Sequence, residues 1–288
     1  MLLLELGAEW LGRDKQQEAL ACAEEAYARY PYWPQTHVLY ADTLLASGQA
    51  RKATEVCTAA LEAFPGQTDI WRAFAAAACE NGQAALASAK LKTHLEAYPG
   101  KVLLWRSLGQ CLESAGRFEA ALRAYDRGIA RAQERARGER DLVRLAGLKE
   151  HQGDILLAMG DAAAARRKYR EAIDLRPTVY PLYEKLSNSY VDAGDLEGLR
   201  NEWESAVAEH PKRTQAHYCL GLAWHRLAKL EKAIASYRRA LELDPSGQGT
   251  RECLARALKT RAEEHRQEGR VEAAEEDLAA ARRVNPPG

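Results

Sequence analysis

The sequence lacks a run of apolar residues long enough to cross a bilayer. It also lacks a charge excess of either sign, with 41 Lys plus Arg against 41 Asp plus Glu. Methionine and phenylalanine are scarce, at 2 and 3 residues of 288. Without a net field, nucleic acid and anionic membranes have no global attraction to this chain, and any charged partner must be met by a local patch. The first eleven residues are apolar, but Glu5 interrupts them, no basic segment precedes them and no cleavage motif follows. They read as a first amphipathic helix and not as a leader. The six cysteines (Cys22, Cys57, Cys79, Cys111, Cys219, Cys253) have no CxxC or CxH spacing, in a chain too large to need disulfide staples. That usage points to reduced thiols and a cytoplasmic setting. No GxxxxGK[ST], strand-linked GxGxxG or HExxH is present.

What the sequence does have is a period. Prolines recur at Pro31, Pro65, Pro99, Pro177, Pro211, Pro245 and Pro286, mostly 34 residues apart. Two intervals are longer: one exceeds two periods by ten residues, the last exceeds one by seven. Self-similarity at such a period signals stacked units that bury their apolar faces only against their neighbours.

With Thr214 as position 1 of a repeat, position 8 holds Gly7, Ala41, Ala75, Gly109, Gly153, Ser187 and Gly221. Position 20 is Ala in seven repeats and Leu199 in one; position 27 is small except at His94. Position 24 carries Tyr125, Tyr169, Trp203 and Tyr237, and position 4 carries Trp71, Trp105 and Tyr183. Position 15 is usually glycine. Each unit therefore reads as a first helix, a turn at a glycine free to take positive φ, and a second helix ending before the proline. The small residues mark close helix approach, where added bulk would cost about 1–3 kcal/mol.

This order of Trp, Leu-Gly, Tyr, Ala, Tyr, Ala and Pro resembles the tetratricopeptide repeat over essentially the whole chain. The resemblance implies an all-α, right-handed superhelical solenoid of helix-turn-helix repeats forming a single domain over 1–288. The repeats fall at 1–33, 34–67, 68–101, 102–138, 139–179, 180–213, 214–247 and 248–288. Ala23 at an aromatic position, His94 at a small one, and Lys149 and Gln152 at apolar ones depart from the pattern.

The ten extra residues lie in a segment without proline before Gly138, so the second helix of repeat 4 and the first of repeat 5 are expected to be lengthened, with Gly138 near their turn. That pair carries Arg127, Arg131, Arg135, Arg137, Arg140 and Arg144, either a solvated face or a dock for an acidic partner. The seven extra residues of repeat 8 are two helical turns, which keeps the apolar seam nearly in phase, and a longer last helix pair is expected. No polar capping helix follows. Self-association through the terminal repeat, a cap formed by the last pair, and truncation of a longer chain are the open explanations.

No catalytic residues, cofactor or metal site are expected. His217 and His225 flank Cys219 on one helix, but His217 and His37 both occupy position 4 and are expected to pack there as the aromatic residues do. "YPYWPQ", with Tyr32 and Trp33, is expected to cover the first inter-repeat junction.

In the family resembled, the first helices line a groove to which positions 2, 5, 9, 12 and 13 contribute. Carried over, the groove takes Val38, Asp42 and Leu45; Asp69, Arg72 and Glu80; Arg106, Gln110 and Glu113; Glu150 and Asp154; Glu184, Asn188 and Asp192; and Tyr218, His225 and Arg226. The acids Glu150, Asp154, Glu184 and Asp192 favour a basic partner segment, and Arg72 with Arg106 an acidic residue. The clamp some members use for a C-terminal carboxylate pairs Lys at position 5 with Asn at position 9. Here only Asn188 stands at position 9, beside Glu184. The expected function is a protein-interaction scaffold or adaptor holding a protein or peptide segment, with no nucleic acid and no membrane insertion. The alternatives are a docking module of an enzyme whose catalytic part lies elsewhere, and a self-assembling structural protein.

Overall fold

The structure is a computed structural model that describes residues 2–134 and 138–285. The described residues form sixteen α-helices and no strand. Contacts gather the chain into two compact units, Met1–Gly160 and Asp161–Gly288. The first holds α1 (Leu2–Gly12), α2 (Gln16–Arg29), α3 (Pro34–Ala46), α4 (Ala50–Ala63), α5 (Thr68–Glu80), α6 (Ala84–Ala97), α7 (Val102–Ser114), α8 (Phe118–Gln133) and α9 (Glu139–Ala158). The second holds α10 (Ala162–Leu175), α11 (Tyr180–Val191), α12 (Leu196–Glu209), α13 (Thr214–Arg226), α14 (Leu230–Leu243), α15 (Gln248–Gln267) and α16 (Val271–Val284). Within each unit consecutive helices pack as hairpins, the second helix of each hairpin packs on the first helix of the next, and successive first helices touch, as α3, α5 and α7 do.

The turn inside each repeat is made the same way. Position 15 adopts positive φ in all eight repeats: six are glycines, and the others are Asp14 (57°) and Ala228 (54°). An L-residue held there costs about 1–3 kcal/mol, which explains the preference for glycine.

The hairpins close by matching sizes. A methyl group added at Gly109 would meet the Tyr125 ring at 2.2 Å, and one at Gly221 would meet Tyr237 at 2.5 Å. Position 8 is therefore small because position 24, sixteen residues on, is a buried aromatic ring. Ser187 serves Trp203 in the same way and accepts its indole N–H at 3.2 Å. Repeat 1 has Ala23 in place of the ring, and Leu39 of the next repeat fills against Gly7 instead, 2.8 Å from an added methyl.

Six joints between repeats are clasped by position 4. Trp71 and Trp105 donate their indole N–H groups to the carbonyls of Pro65 and Pro99, both at 2.8 Å. Tyr183 donates to Pro177 at 2.8 Å. His37 and His217 donate through Nε2 to Pro31 (2.7 Å) and Pro211 (2.9 Å), and Arg251 donates to Pro245. A proline carbonyl can only accept, so both histidines carry their proton on Nε2. They pack where the aromatic residues do because what position 4 supplies is a hydrogen-bond donor on a flat side chain.

The insertions distribute unevenly. Gly138 is the extended N-cap of α9, as the spacing implies; α8 grows only to 16 residues while α9 reaches 20. Arg135 and Arg137 lie outside the described residues. In repeat 8 the expectation of a longer pair is corrected: α15 takes all of the extra length at 20 residues, and α16 keeps the usual 14. Gly269 and Ala274 stay at their normal distance from each other, so the addition falls wholly before the turn. A second correction concerns "YPYWPQ". Tyr32 is 85% exposed and covers nothing, while Trp33 stacks on Tyr30 at 4.9 Å.

Candidate binding cleft

Between helices α3, α5 and α7 lies a cleft of about 340 Å³. Of the residues expected in the groove, Val38, Asp42, Asp69, Arg72, Glu80, Arg106 and Gln110 line it. Leu45 does not; it packs against the apolar core. Glu113 is on α7 but outside the cleft lining, where it accepts the Tyr125 hydroxyl at 3.3 Å. The spacing also passed over Cys79, Ser107, Cys111 and Ser114, which line the cleft as well. They have a small-residue signature that reads as packing.

The charges of the cleft differ in how they are satisfied. Arg72 pairs with Asp69 three residues before it, at 3.1 Å, and both are exposed. Arg106 is half-buried, and its buried Nε has no partner. Burial, then the nearby Arg72, lower its pKa from the usual guanidinium value. Asp42 is also half-buried, and burial pushes its carboxyl up against the opposing pull of Arg72. The cleft thus holds a desolvated cation and a desolvated anion that do not neutralise each other, an arrangement more common at functional sites than elsewhere. The thiols of Cys79 and Cys111 lie 3.0 Å apart on adjacent helices. Their hydrogen bond holds Cys79 below the usual thiol range and Cys111 above it.

Beyond the cleft, α9 approaches α7 where Gln110 meets the His151 ring at 3.4 Å. His151 stacks on Tyr125 at 5.6 Å, with Asp154 at 4.0 Å. Glu150 is half-buried one residue away. The four acids expected at the groove centre divide between the units: Glu150 and Asp154 in the first, Glu184 and Asp192 in the second. In the second unit Glu184, Asn188 and Asp192 are exposed on α11 and its C-cap. Tyr218 sits edge-on to Tyr180 at 5.5 Å and approaches Cys253 Sγ at 3.6 Å, so it is partly a packing residue. Burial raises its hydroxyl pKa. Burial, helped by Arg256 and Arg226, keeps the pKa of His225 below its usual value. Arg226 is exposed. None of the helices among the described residues is long and apolar enough to cross a membrane.

Stacked helix hairpins with small-to-aromatic matching, left-handed turns and proline clasps define a helical-repeat protein. Tetratricopeptide-repeat family models match residues 34–79, 72–136 and 184–247, more than half of the chain. The chain belongs to the tetratricopeptide-repeat family. A stretch of 124 residues is 32% identical to the heat-shock protein cognate co-chaperone sgt12 of Aspergillus fumigatus, spanning 40% of this chain and 35% of that protein. Another of 63 residues is 40% identical to the tetratricopeptide repeat and J domain-containing co-chaperone DNJ1 of Cryptococcus neoformans, 22% of this chain and 12% of that one. The matches thus span about a third and about an eighth of these relatives. Among solved structures, a chain of the APC/C hetero-tetramer Cut9–Hcn1 superposes with a TM-score of 0.51 at 15% identity, covering 88% of this chain and 48% of that one. This likeness concerns the fold alone.

Proposed function

We propose that the chain is a non-catalytic adaptor that holds a segment of a partner protein in the cleft of α3, α5 and α7. The observation that carries this reading is the pair of unneutralised, half-buried charges, Arg106 and Asp42. Each costs stability where it stands, and each is offset when a ligand brings the opposite charge. Arg106 reads an acidic group of the partner and Asp42 a basic one. Family membership and the co-chaperones it resembles support an adaptor role. They do not make this cleft a carboxylate clamp of the familiar kind, because Arg72 and Arg106 at position 5 are followed at position 9 by Ala76 and Gln110. We assign the face of α11 and α13 that carries the exposed Glu184, Asn188, Asp192 and Arg226 and the half-buried His225 the same role within the second unit. There its acids favour Lys or Arg in the bound segment, as Glu150 and Asp154 do in the first.

The test places a photo-crosslinking amino acid at Gln110, on the rim of the cleft, and maps the partner peptide that is captured. The expected result is one discrete segment with an acidic side chain, and an affinity that falls about tenfold or more in Arg106→Ala. An affinity unchanged by both Arg106→Ala and Asp42→Asn overturns the reading. Asp42→Asn should also raise stability at neutral pH, since a carboxyl whose folded pKa is raised weakens the fold once ionised. That gain over the wild type should vanish as pH falls below about 4, where the unfolded carboxyl is protonated too.

A further inference from the structure

A second depression lies in the first unit, of about 420 Å³, built by α6, α7 and α8. Both α6 and α8 pack on α7, and the bottom of the gap between them is closed by residues of α7 that are themselves buried. Trp105, Leu108 and Leu112, spaced three and four residues apart, form its floor. The walls are low because they are made of small residues, chiefly Ala85 and Ala89 on one side and Ala120 and Ala124 on the other. The trough therefore runs along about two helical turns, roughly 10 Å at 1.5 Å per residue.

Its charges are all of one sign. Lys92, Arg117, Arg123 and Arg127 line it and no acid does. All four are exposed, and none forms an ion pair among the described residues. Arg127 lies over the Trp105 ring at 5.6 Å. In a chain with equal numbers of acids and bases, this is a local concentration.

Two other intervals offer a comparison. Between α10 and α12, Arg170 at position 25 is gripped by both oxygens of Glu202 at position 23 of the next repeat, with Nε at 2.6 Å. Between α2 and α4, Glu24 at position 25 pairs with Lys52 at 3.4 Å. In the α6–α8 interval Lys92 stands at position 25, but position 23 of the next repeat is Ala124. The carboxylate that would satisfy this cation within the chain is absent, and the neighbouring cations add to the imbalance.

We propose that the α6–α7–α8 trough is a second docking site, and that its occupant is an acidic amphipathic helix of a partner protein. A ridge of apolar side chains at helical spacing fits the Trp105–Leu112 stripe, and Glu or Asp on either side of that ridge meets the basic rims. A bilayer surface fits less well, because the apolar floor is recessed between two helices where a planar surface does not reach. The site is separate from the α3–α5–α7 cleft and does not depend on that assignment.

The probe is a labelled synthetic peptide of about fifteen residues, Leu on one helical face and Glu on the rest, measured by fluorescence polarisation. The controls are the same peptide with Lys for Glu and phosphatidylserine vesicles. The Glu peptide should bind the wild type, more weakly as salt rises. Its affinity should fall about tenfold or more in Lys92→Glu with Arg123→Glu, two exposed positions whose change leaves the helical circular dichroism intact. Ala124→Glu, which gives Lys92 the partner that Arg170 has, should lose binding too. Arg106→Ala, in the other cleft, should keep it. Absence of binding by the Glu peptide, equal binding by the charge-reversed variant, equal binding of the Lys peptide, or binding of vesicles in preference to peptide would each overturn the proposal.

Discussion

Helices α9 and α15 are both 20 residues long, seven more than the first helix of an ordinary repeat such as α5. Their extra turns lie at opposite ends and have different fates. In α9 residues 139–145 precede the first position of the repeat. Leu142 and Val143 stay 39% and 40% exposed, and Arg144 reaches only Asp141, one turn back, at 3.0 Å. In α15 the added turns run into the hairpin. Ala262 is fully buried, and Arg261 holds the buried Asp277 of α16 through two hydrogen bonds of 2.7 and 2.8 Å, with His265 at 3.8 Å. Seven residues are close to two turns, so Ala255 and Ala262 face the same side and both are buried. An addition inside a hairpin inherits a partner helix, while one at the start of a helix stays solvated on its outer side.

The contrast is sharpest at the ion pairs. Asp277→Ala should cost up to about 3–5 kcal/mol, because it removes the buried partner of the half-buried Arg261 guanidinium. Asp141→Ala should cost less, about 1 kcal/mol, because this half-buried pair lies one turn apart on a single helix at the solvated start of α9. Urea denaturation of the two variants measures both, and similar losses would break the distinction. Next in size is packing. Ala262→Leu should cost about 1–3 kcal/mol through overpacking, while Leu142→Glu should shift stability by no more than about 0.5 kcal/mol. The turns beside the two helices come third. Gly269, at φ 76°, should lose about 1 kcal/mol on replacement by alanine, whereas Gly138, extended at φ −165°, should tolerate it. Ala228→Gly runs the first experiment in reverse and should stabilise by about 1 kcal/mol, read as a rise in Tm. Smallest in energy is local opening. Amide exchange should be fast in the first two turns of α9 and slow near Ala262.

Much of this was legible in the sequence, for physical reasons. Gly109 and Gly221 with Tyr125 and Tyr237 sixteen residues on are a size-matching rule written in one dimension. The position-15 glycines announce a positive φ that the backbone then adopts. The length of α15 was legible too: Gly269 and Ala274 keep their spacing, so the insertion precedes the turn. Two other features were harder to read. Leu45 occupies a position that faces the groove in the family, yet it turns into the core, a choice made by its neighbours. In the cleft, Arg72 and Arg106 share one position and one residue type, and only burial and the presence of Asp69 separate a satisfied cation from an unsatisfied one.

The clasp between each proline carbonyl and position 4 spans six residues and crosses the boundary between one repeat and the next. It depends on nothing distant in the chain. Where two repeats joined in this way are cut and rejoined in the same frame, the clasp returns whole. At the joints that carry it, this clasp is therefore an exchangeable part, while contacts such as Leu39 on Gly7 and Glu202 on Arg170 tie particular repeats to each other.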